Sequence, residues 1–430
     1  MERRVYIHTF GCQMNVHDSE KILGTLAHEG FTRTGNPSEA DLIIFNTCSI
    51  RQKAEQKFFS ELGRMKSYKR FNPQLRIAVA GCIAQQEGKR IFKRAPHVDF
   101  VFGPQNIMAL KGFVTDRRAS VAIDENPGIA EEILPVKRSA GVSAWVTIMY
   151  GCNNFCSYCV VPYTRGKEVS RPSKHILSEV SELSEQGFRE ITLLGQNVNS
   201  YKSDVGFPDL LGRLDGIGGI ERIRFVTSHP KDLSGTLIDA MAELRKVCEH
   251  IHLPLQSGST EILRMMNRRY SFEEYMEKVR NLRAKIPGIA ITSDIISGFP
   301  GETDEDHALT LKALTEIEFD GIFAFKFSPR PGTKASKMSG HLLEEKKSER
   351  LLDILSLQDS ITEKKNRTLQ DSVQEVLVEG PGESGNGNLT GRTGTNKIVD
   401  FPAHDIREGH ILKVMISKGR KHSLEGKIVD

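Results

Sequence analysis

The chain has 430 residues, and its 59 Lys plus Arg against 55 Asp plus Glu leave a net charge of +4. With 38% hydrophobic and 27% charged residues it has the composition of a globular chain, long enough for two or three domains, and is neither disordered nor fibrous. The near-balance of charge excludes a globally polycationic nucleic-acid binder, so any nucleic-acid footprint must be local.

The opening stretch "MERRVYIHTFGCQMN" lacks the apolar core of a signal peptide, and no apolar run reaches the roughly 18 residues of a membrane span. The expectation is a cytoplasmic protein with no membrane association. In a reducing compartment its seven cysteines read as metal-binding or catalytic rather than disulfide-forming.

In chain order, "RVYIHTF" (4–10), "DLIIFNTC" (41–48) and "RIAVAGC" (76–82) read as strands. Each is followed by a helical stretch, such as 16–30 and 53–65. Strand–helix alternation of this kind predicts a parallel α/β domain over residues 1–123. "DENPGIAEEILPVKRSAG" (124–141) combines Pro, Gly and charge without periodicity and reads as an interdomain linker.

Residues 142–341 repeat the alternation more regularly. Strands are expected at 144–150, 190–196, 222–228, 250–256, 289–299 and 321–328, with helices such as 174–187 and 271–286 between them. Six βα units predict a partial TIM-like barrel with its functional groups at the carboxyl ends of the strands. A charged helical connection (342–365) leads to residues 366–430, whose period-two alternation and glycine turns predict a small all-β barrel.

Cys12, Cys48 and Cys82 each end a predicted strand, about one βα unit apart. In a parallel sheet all three emerge at the carboxyl edge, where open α/β sheets bind ligands. One such cysteine would be an ordinary buried thiol; three favour a shared metal site. Cys152, Cys156 and Cys159 follow the first barrel strand as C-x3-C-x2-C. One reading is a zinc knuckle whose fourth ligand comes from His250 or His252, but this is not a common zinc spacing. The other is a four-iron cluster on three thiolates, leaving one iron open to an external amine and carboxylate. Cys248 has no partner cysteine and reads as an inert core thiol.

With C-x3-C-x2-C at the end of the first strand of a βα barrel, the chain resembles the radical S-adenosylmethionine (SAM) superfamily. There the open iron holds SAM, and one electron cleaves it to methionine and a 5′-deoxyadenosyl radical. Three upstream cysteines and a C-terminal β-module narrow the resemblance to the methylthiotransferases, with a TRAM domain that binds RNA. The stretches "GCQMNVHDSEK", "GCNNFCSYCVVPYTRGKEVSRP", "LLGQNVNSY", "LPLQSGSTEILRMMNRRYSFEEY", "SDIISGFPGET" and "FKFSPRPGTKA" are similar to the MiaB-type tRNA branch.

That resemblance implies methylthiolation at C2 of N6-isopentenyladenosine (the dimethylallyl nucleoside) at tRNA position 37. It implies two 4Fe-4S clusters, with Cys12, Cys48 and Cys82 holding the auxiliary one that supplies sulfur. One SAM methylates that sulfur and a second, at Cys152, Cys156 and Cys159, yields the radical. The expected partners are the tRNA anticodon stem-loop, an electron donor such as flavodoxin or ferredoxin, and Fe–S assembly or sulfur-delivery proteins, with the enzyme a monomer. Sibling enzymes act on threonylcarbamoyladenosine tRNA or on a ribosomal-protein aspartate, and cysteine spacing does not separate them. A non-catalytic Fe–S or zinc RNA-binding protein is the alternative of another class.

At the barrel strand ends, Gln196, Asn197, Ser228, Gln256, Ser257 and Asp294 are the expected SAM contacts, although such residues also serve turns and caps. At least one of Arg165, Lys167 and Arg171, beside the radical cluster, is expected to meet RNA phosphate or the SAM carboxylate, and Lys418, Arg420, Lys421 and Lys427 on the β-module are the expected RNA contacts. "RMMNRRY" (264–270) is either a further basic contact or the exposed end of a helix.

Overall fold

The computed structural model describes residues 2–49, 52–116, 120–138, 141–382, 387–402 and 406–429. The chain forms two compact units: Met1–Ser139 with Met149–Asn153 and Cys159–Arg171, and the remainder.

The first unit is built on a parallel six-stranded sheet: β1 (Arg3–Thr9), β2 (Phe31–Arg33), β3 (Leu42–Thr47), β4 (Arg76–Gly81), β5 (Phe100–Phe102) and β6 (Ser120–Ala122), in the order β2-β1-β3-β4-β5-β6. β3, "LIIFNT", is buried along its whole length, because a parallel sheet covered on both faces takes continuous apolar runs. Ile43, Phe45, Ile77 and Val79 pack on one face with Phe58 and Leu62. Leu42, Ile44, Ala78 and Ala80 pack on the other with Ile22 and Leu26 of the helix Gln13–His28. Three strands were expected here; β2, β5 and β6 are three residues each, too short for an alternation signal.

The expected linker is not a loose connection. Ile129 and Ala130 are buried, and the Lys137 amide donates to the Glu20 carbonyl (3.0 Å). A Cβ at Gly24 would stand 2.1 Å from the Pro135 carbonyl oxygen, so glycine is what lets the segment lie against the helix Gln13–His28. The expected boundary at residue 142 also shifts, since Met149–Asn153 and Cys159–Arg171 pack with the first unit. The predicted strand 144–150 accordingly ends early. β7 (Ser143–Thr147) is followed by β8 (Met149–Tyr150), which pairs antiparallel with β9 (Val169–Ser170).

In the second unit, β7, β10 (Glu190–Leu194) and β11 (Arg222–Phe225) form one parallel sheet, and β12 (His250–His252), β13 (Ala290–Ser297) and β14 (Gly321–Lys326) another. A parallel bridge pairs Ile223 of β11 with Val247, just ahead of β12. The result is the expected open six-stranded partial barrel. The helix Glu344–Arg367 leads to a closed barrel of β15 (Val373–Pro381), β16 (Asn388–Thr393), β17 (Ile398–Pro402), β18 (Ile411–Gly419) and β19 (Leu424–Ile428), around Val376, Val378, Val399, Phe401, Val414, Ile416 and Leu424.

Two arginines of β11 hold the small barrel against the large one. Arg224 Nε donates to Glu190 Oε2 (2.8 Å), and its Nη atoms donate to the Thr393 and Gly394 carbonyls (2.8 and 3.0 Å). Arg222 donates to the carbonyls of Arg392 and Glu375. The Arg224–Glu190 pair is buried on both sides, and removing one partner strands the other charge. Arg224→Ala is therefore expected to cost about 3–5 kcal/mol. Urea unfolding should show this, together with faster proteolytic release of the fragment beyond Arg367.

Candidate functional site

Cys12, Cys48 and Cys82 stand at the carboxyl ends of β1, β3 and β4, which are neighbours in the sheet. Cys12 occupies the N-cap of the helix Gln13–His28, and Cys82 opens the helix Cys82–Glu87. A Cβ on Gly11 (φ +118°) would lie 2.4 Å from Cys48 Cβ, so glycine is required for the Cys12 loop to approach Cys48 this closely. The Cys12 thiol is lowered to about 6, first by a hydrogen bond with Cys48, which outweighs the opposing effect of burial; the Arg165 charge lowers it further. A lowered thiol is a thiolate at neutral pH, the form that binds iron.

Arg165 is 5% exposed. It donates to Asp18 Oδ2 (2.8 Å) and to Asn15 Oδ1 (3.4 Å). Burial works against its charge, but Asp18, Cys82 and Cys12 hold the guanidinium protonated. Arg165, expected to meet substrate phosphate or the SAM carboxylate, is buried beside Asp18 and Asn15. Arg171 is buried as well, and of the three only Lys167 is exposed. Among the described residues no three His, Cys, Asp or Glu side chains group as tightly as one metal ion requires.

In the second unit the strand ends carry polar atoms without partners. Gln196 Oε1 and Nε2, Asn197 Oδ1, Ser228 Oγ and His229 Nε2 are buried and unbonded, although buried polar groups are almost always paired. Thr227 (φ +65°) and Gln256 (φ +74°) adopt left-handed backbone, rare for non-glycine residues and concentrated at functional sites. His229 was not singled out from the sequence, although it adjoins Ser228. Its Nδ1 accepts from the Lys231 amide (3.2 Å), so Nε2 carries the proton and is a donor without an acceptor. Burial, then the Arg268 charge, lowers it to about 2, which keeps the ring neutral.

Asp294 is half-buried, with His252 Nε2 at 3.4 Å. Ser257 is already engaged, accepting from the Ser259 amide (3.2 Å) and lying 3.4 Å from the Thr310 hydroxyl. It serves the turn before the helix Thr260–Met265. The two histidines weighed as zinc ligands are tied into the barrel wall: both rings hydrogen-bond the Thr292 hydroxyl. Cys248 is buried, and burial raises its thiol to about 11, which leaves it protonated and inert at neutral pH.

Models of three families match: "Uncharacterized protein family UPF0004" over residues 4–103, the radical SAM superfamily over 146–314 and the TRAM domain over 367–429. The tRNA-2-methylthio-N(6)-dimethylallyladenosine synthase of Thermodesulfovibrio yellowstonii is 57% identical over 429 residues, 99% of each chain. The synthase of the same name from Carboxydothermus hydrogenoformans is 47% identical over 438 residues, covering 100% of each.

The chain belongs to this synthase family.

Among solved structures, the radical SAM methyltransferase TsrM of Kitasatospora setae shares the fold, with a TM-score of 0.60 at 15% identity over 78% of this chain and 75% of that one. The synthase family makes this chain a radical SAM tRNA methylthiotransferase with a TRAM domain, and superfamily membership implies a 4Fe-4S cluster and SAM. The unbonded atoms of Gln196, Asn197, Ser228 and His229 fit such a cofactor, since SAM brings an amine, a carboxylate and a nucleoside that can pair them. On the TRAM barrel, Lys418, Arg420, Lys421 and Lys427 are all exposed. Arg420 pairs with Glu425 and Lys421 with Asp359, whereas Lys418 and Lys427 have no ion pair among the described residues. No helix of the described residues is long and apolar enough to cross a membrane.

"RMMNRRY" ends the helix Thr260–Met265 with Arg264 and Arg269 exposed, but Arg268 within it is buried and reaches the Cys156 sulfur.

Proposed function

We propose that this chain methylthiolates C2 of N6-dimethylallyladenosine at tRNA position 37, using two clusters and two molecules of SAM per turnover. The observation that carries this reading is the convergence of Cys12, Cys48 and Cys82 on three neighbouring strand ends, in addition to the C-x3-C-x2-C loop. An enzyme that only abstracted hydrogen would need one such set.

The purine C2–H is neither acidic nor displaceable, so acid–base side chains offer little. A four-iron cluster with SAM supplies a carbon radical able to abstract that hydrogen, and a second cluster supplies sulfur that accepts a methyl group from another SAM. The residues of the chain bind and orient. Cys152, Cys156 and Cys159 hold the radical-forming cluster, and Cys12, Cys48 and Cys82 hold the sulfur-bearing one. Arg165 keeps positive charge beside the second set of thiolates. Gln196, Asn197, Gln256 and Asp294, with the hydroxyl of Ser228 and the Nε2–H of His229, orient SAM. Lys418 and Lys427, with Lys167, meet the phosphates of the anticodon stem-loop, and the target base leaves its stack to react. The electron comes from a one-electron donor of the flavodoxin or ferredoxin kind.

The test is turnover of tRNA carrying dimethylallyladenosine, set against tRNA carrying threonylcarbamoyladenosine, with mass spectrometry of the digested nucleosides. The expected product is the 2-methylthio derivative of the first alone. Methylthiolation of the second would assign the chain to the sibling activity.

A further inference from the structure

We infer that Arg268 is a positioning residue that sets the reduction potential of the radical-forming cluster, by delivering a hydrogen bond and a buried positive charge to the Cys156 sulfur. This rests on the reading that Cys152, Cys156 and Cys159 hold that cluster.

Arg268 is 4% exposed. Its Nη1 lies 3.4 Å from Cys156 Sγ and 3.4 Å from the Tyr158 hydroxyl. Nη2 donates to the Pro254 carbonyl (2.9 Å) and Nε to the Tyr270 hydroxyl (2.9 Å). Tyr270 in turn donates to the Pro254 and Leu255 carbonyls, so the fork is fixed at both ends. None of these partners is a carboxylate. A buried guanidinium without a carboxylate is costly unless another anion lies beside it. Here the group beside it is the Cys156 sulfur, which is anionic when it holds a cluster.

The backbone holds the arrangement in place. Asn267 (φ +58°) and Arg269 (φ +59°) flank Arg268 in the left-handed region, a conformation that persists only where its surroundings determine it. Asn267 Nδ2 donates to the carbonyls of Asn154 and Phe155 (3.3 and 3.0 Å). The Ser157 amide donates to the Met266 carbonyl (2.9 Å), and the Ala335 amide to the Ser157 carbonyl (2.8 Å). The turn therefore grips the loop carrying Cys156 and aims the guanidinium at its sulfur.

A cluster on three thiolates gains one negative charge when it takes up an electron. A fixed cation favours that more negative state, and N–H···S bonding withdraws charge from the sulfur; both raise the potential. Burial strengthens the effect because water screens it less.

The experiment uses anaerobically reconstituted full-length enzyme with both clusters, titrated with dithionite at controlled potential and followed by EPR. The SAM-responsive signal that is absent from Cys152→Ala enzyme marks the radical-forming cluster. Arg268→Gln is expected to lower the ratio of reduced to oxidised cluster at a fixed potential about tenfold, which is about 59 mV for one electron. Arg269→Gln, an equal charge change at the exposed neighbouring residue, is expected to leave the ratio within about twofold. If Arg268→Gln does not take up iron, Arg268→Lys decides. Its single ammonium cannot serve Pro254 and Cys156 together, and a fall of about threefold in the ratio is expected.

Full iron content with a wild-type ratio in Arg268→Gln would overturn the inference, even if SAM affinity or turnover fell. So would a wild-type ratio in the lysine variant. A wild-type enzyme with no SAM-responsive signal would overturn the cluster reading itself, which separates the two failures.

Discussion

A Cys152→Ala enzyme forms no 5′-deoxyadenosine when it is reduced in the presence of SAM. The thiol sits in a loop held by its own backbone contacts. Gly151 takes φ +71°, with its absent Cβ 1.9 Å from the Lys167 carbonyl oxygen, and the Cys152 amide donates to the Gly166 carbonyl (3.2 Å). The β8–β9 pairing closes the same loop. Alanine preserves these backbone contacts and removes only the sulfur, so the loss is one of ligation and not of folding. Three thiolates leave one iron open for SAM; two leave no defined vacancy and a cluster that is poorly held. Iron analysis and chromatography of the reaction products check this. Cys248→Ala serves as the control, because that thiol is buried and protonated, and it should retain cleavage. Persistent 5′-deoxyadenosine in Cys152→Ala would remove this cysteine from the radical chemistry.

Cys12→Ala has a different expected outcome: SAM cleavage persists without methylthiolated tRNA. Cys12 lies at the carboxyl end of β1, its sulfur near Asn15 Oδ1 (3.5 Å) and hydrogen-bonded with Cys48, and none of these groups belongs to the C-x3-C-x2-C loop. Iron should fall from about eight to about four per chain. Hydrogen abstraction then has no sulfur to follow it, and 5′-deoxyadenosine accumulates without coupling to product. The measurement pairs quantified 5′-deoxyadenosine with nucleoside mass spectrometry. Retained methylthio product would sink the division of labour between the two cysteine sets.

Much of this enzyme was legible along the chain because its signals are local. Strand-end cysteines are set by strand length and spacing, and the unbonded Gln196, Asn197 and Ser228 stand where the strand pattern placed them. The short strands β2, β5 and β6 were not legible, since three residues hold too little periodicity. Ser257 was a reasonable cofactor contact by position, yet its hydroxyl is spent on the turn. The stretch 124–141 looked like a linker because its packing against the helix Gln13–His28 relies on backbone carbonyls and a glycine, which leave no hydrophobic period.

The arginines mark the boundary between the two kinds of information. By itself the sequence determined the fold class, the two thiol sets and, through its resemblance, the chemistry. A run of basic residues looks the same whether it faces solvent or a sulfur, so the sequence alone does not separate Arg165 and Arg171 from contacts to substrate, or "RMMNRRY" from the exposed end of a helix. Only the tertiary structure placed Arg165 beside Asp18 and the Cys12 thiol, and Arg268 beside Cys156. A charge acquires its role from what surrounds it, and for a buried side chain those surroundings come from residues far away in the chain.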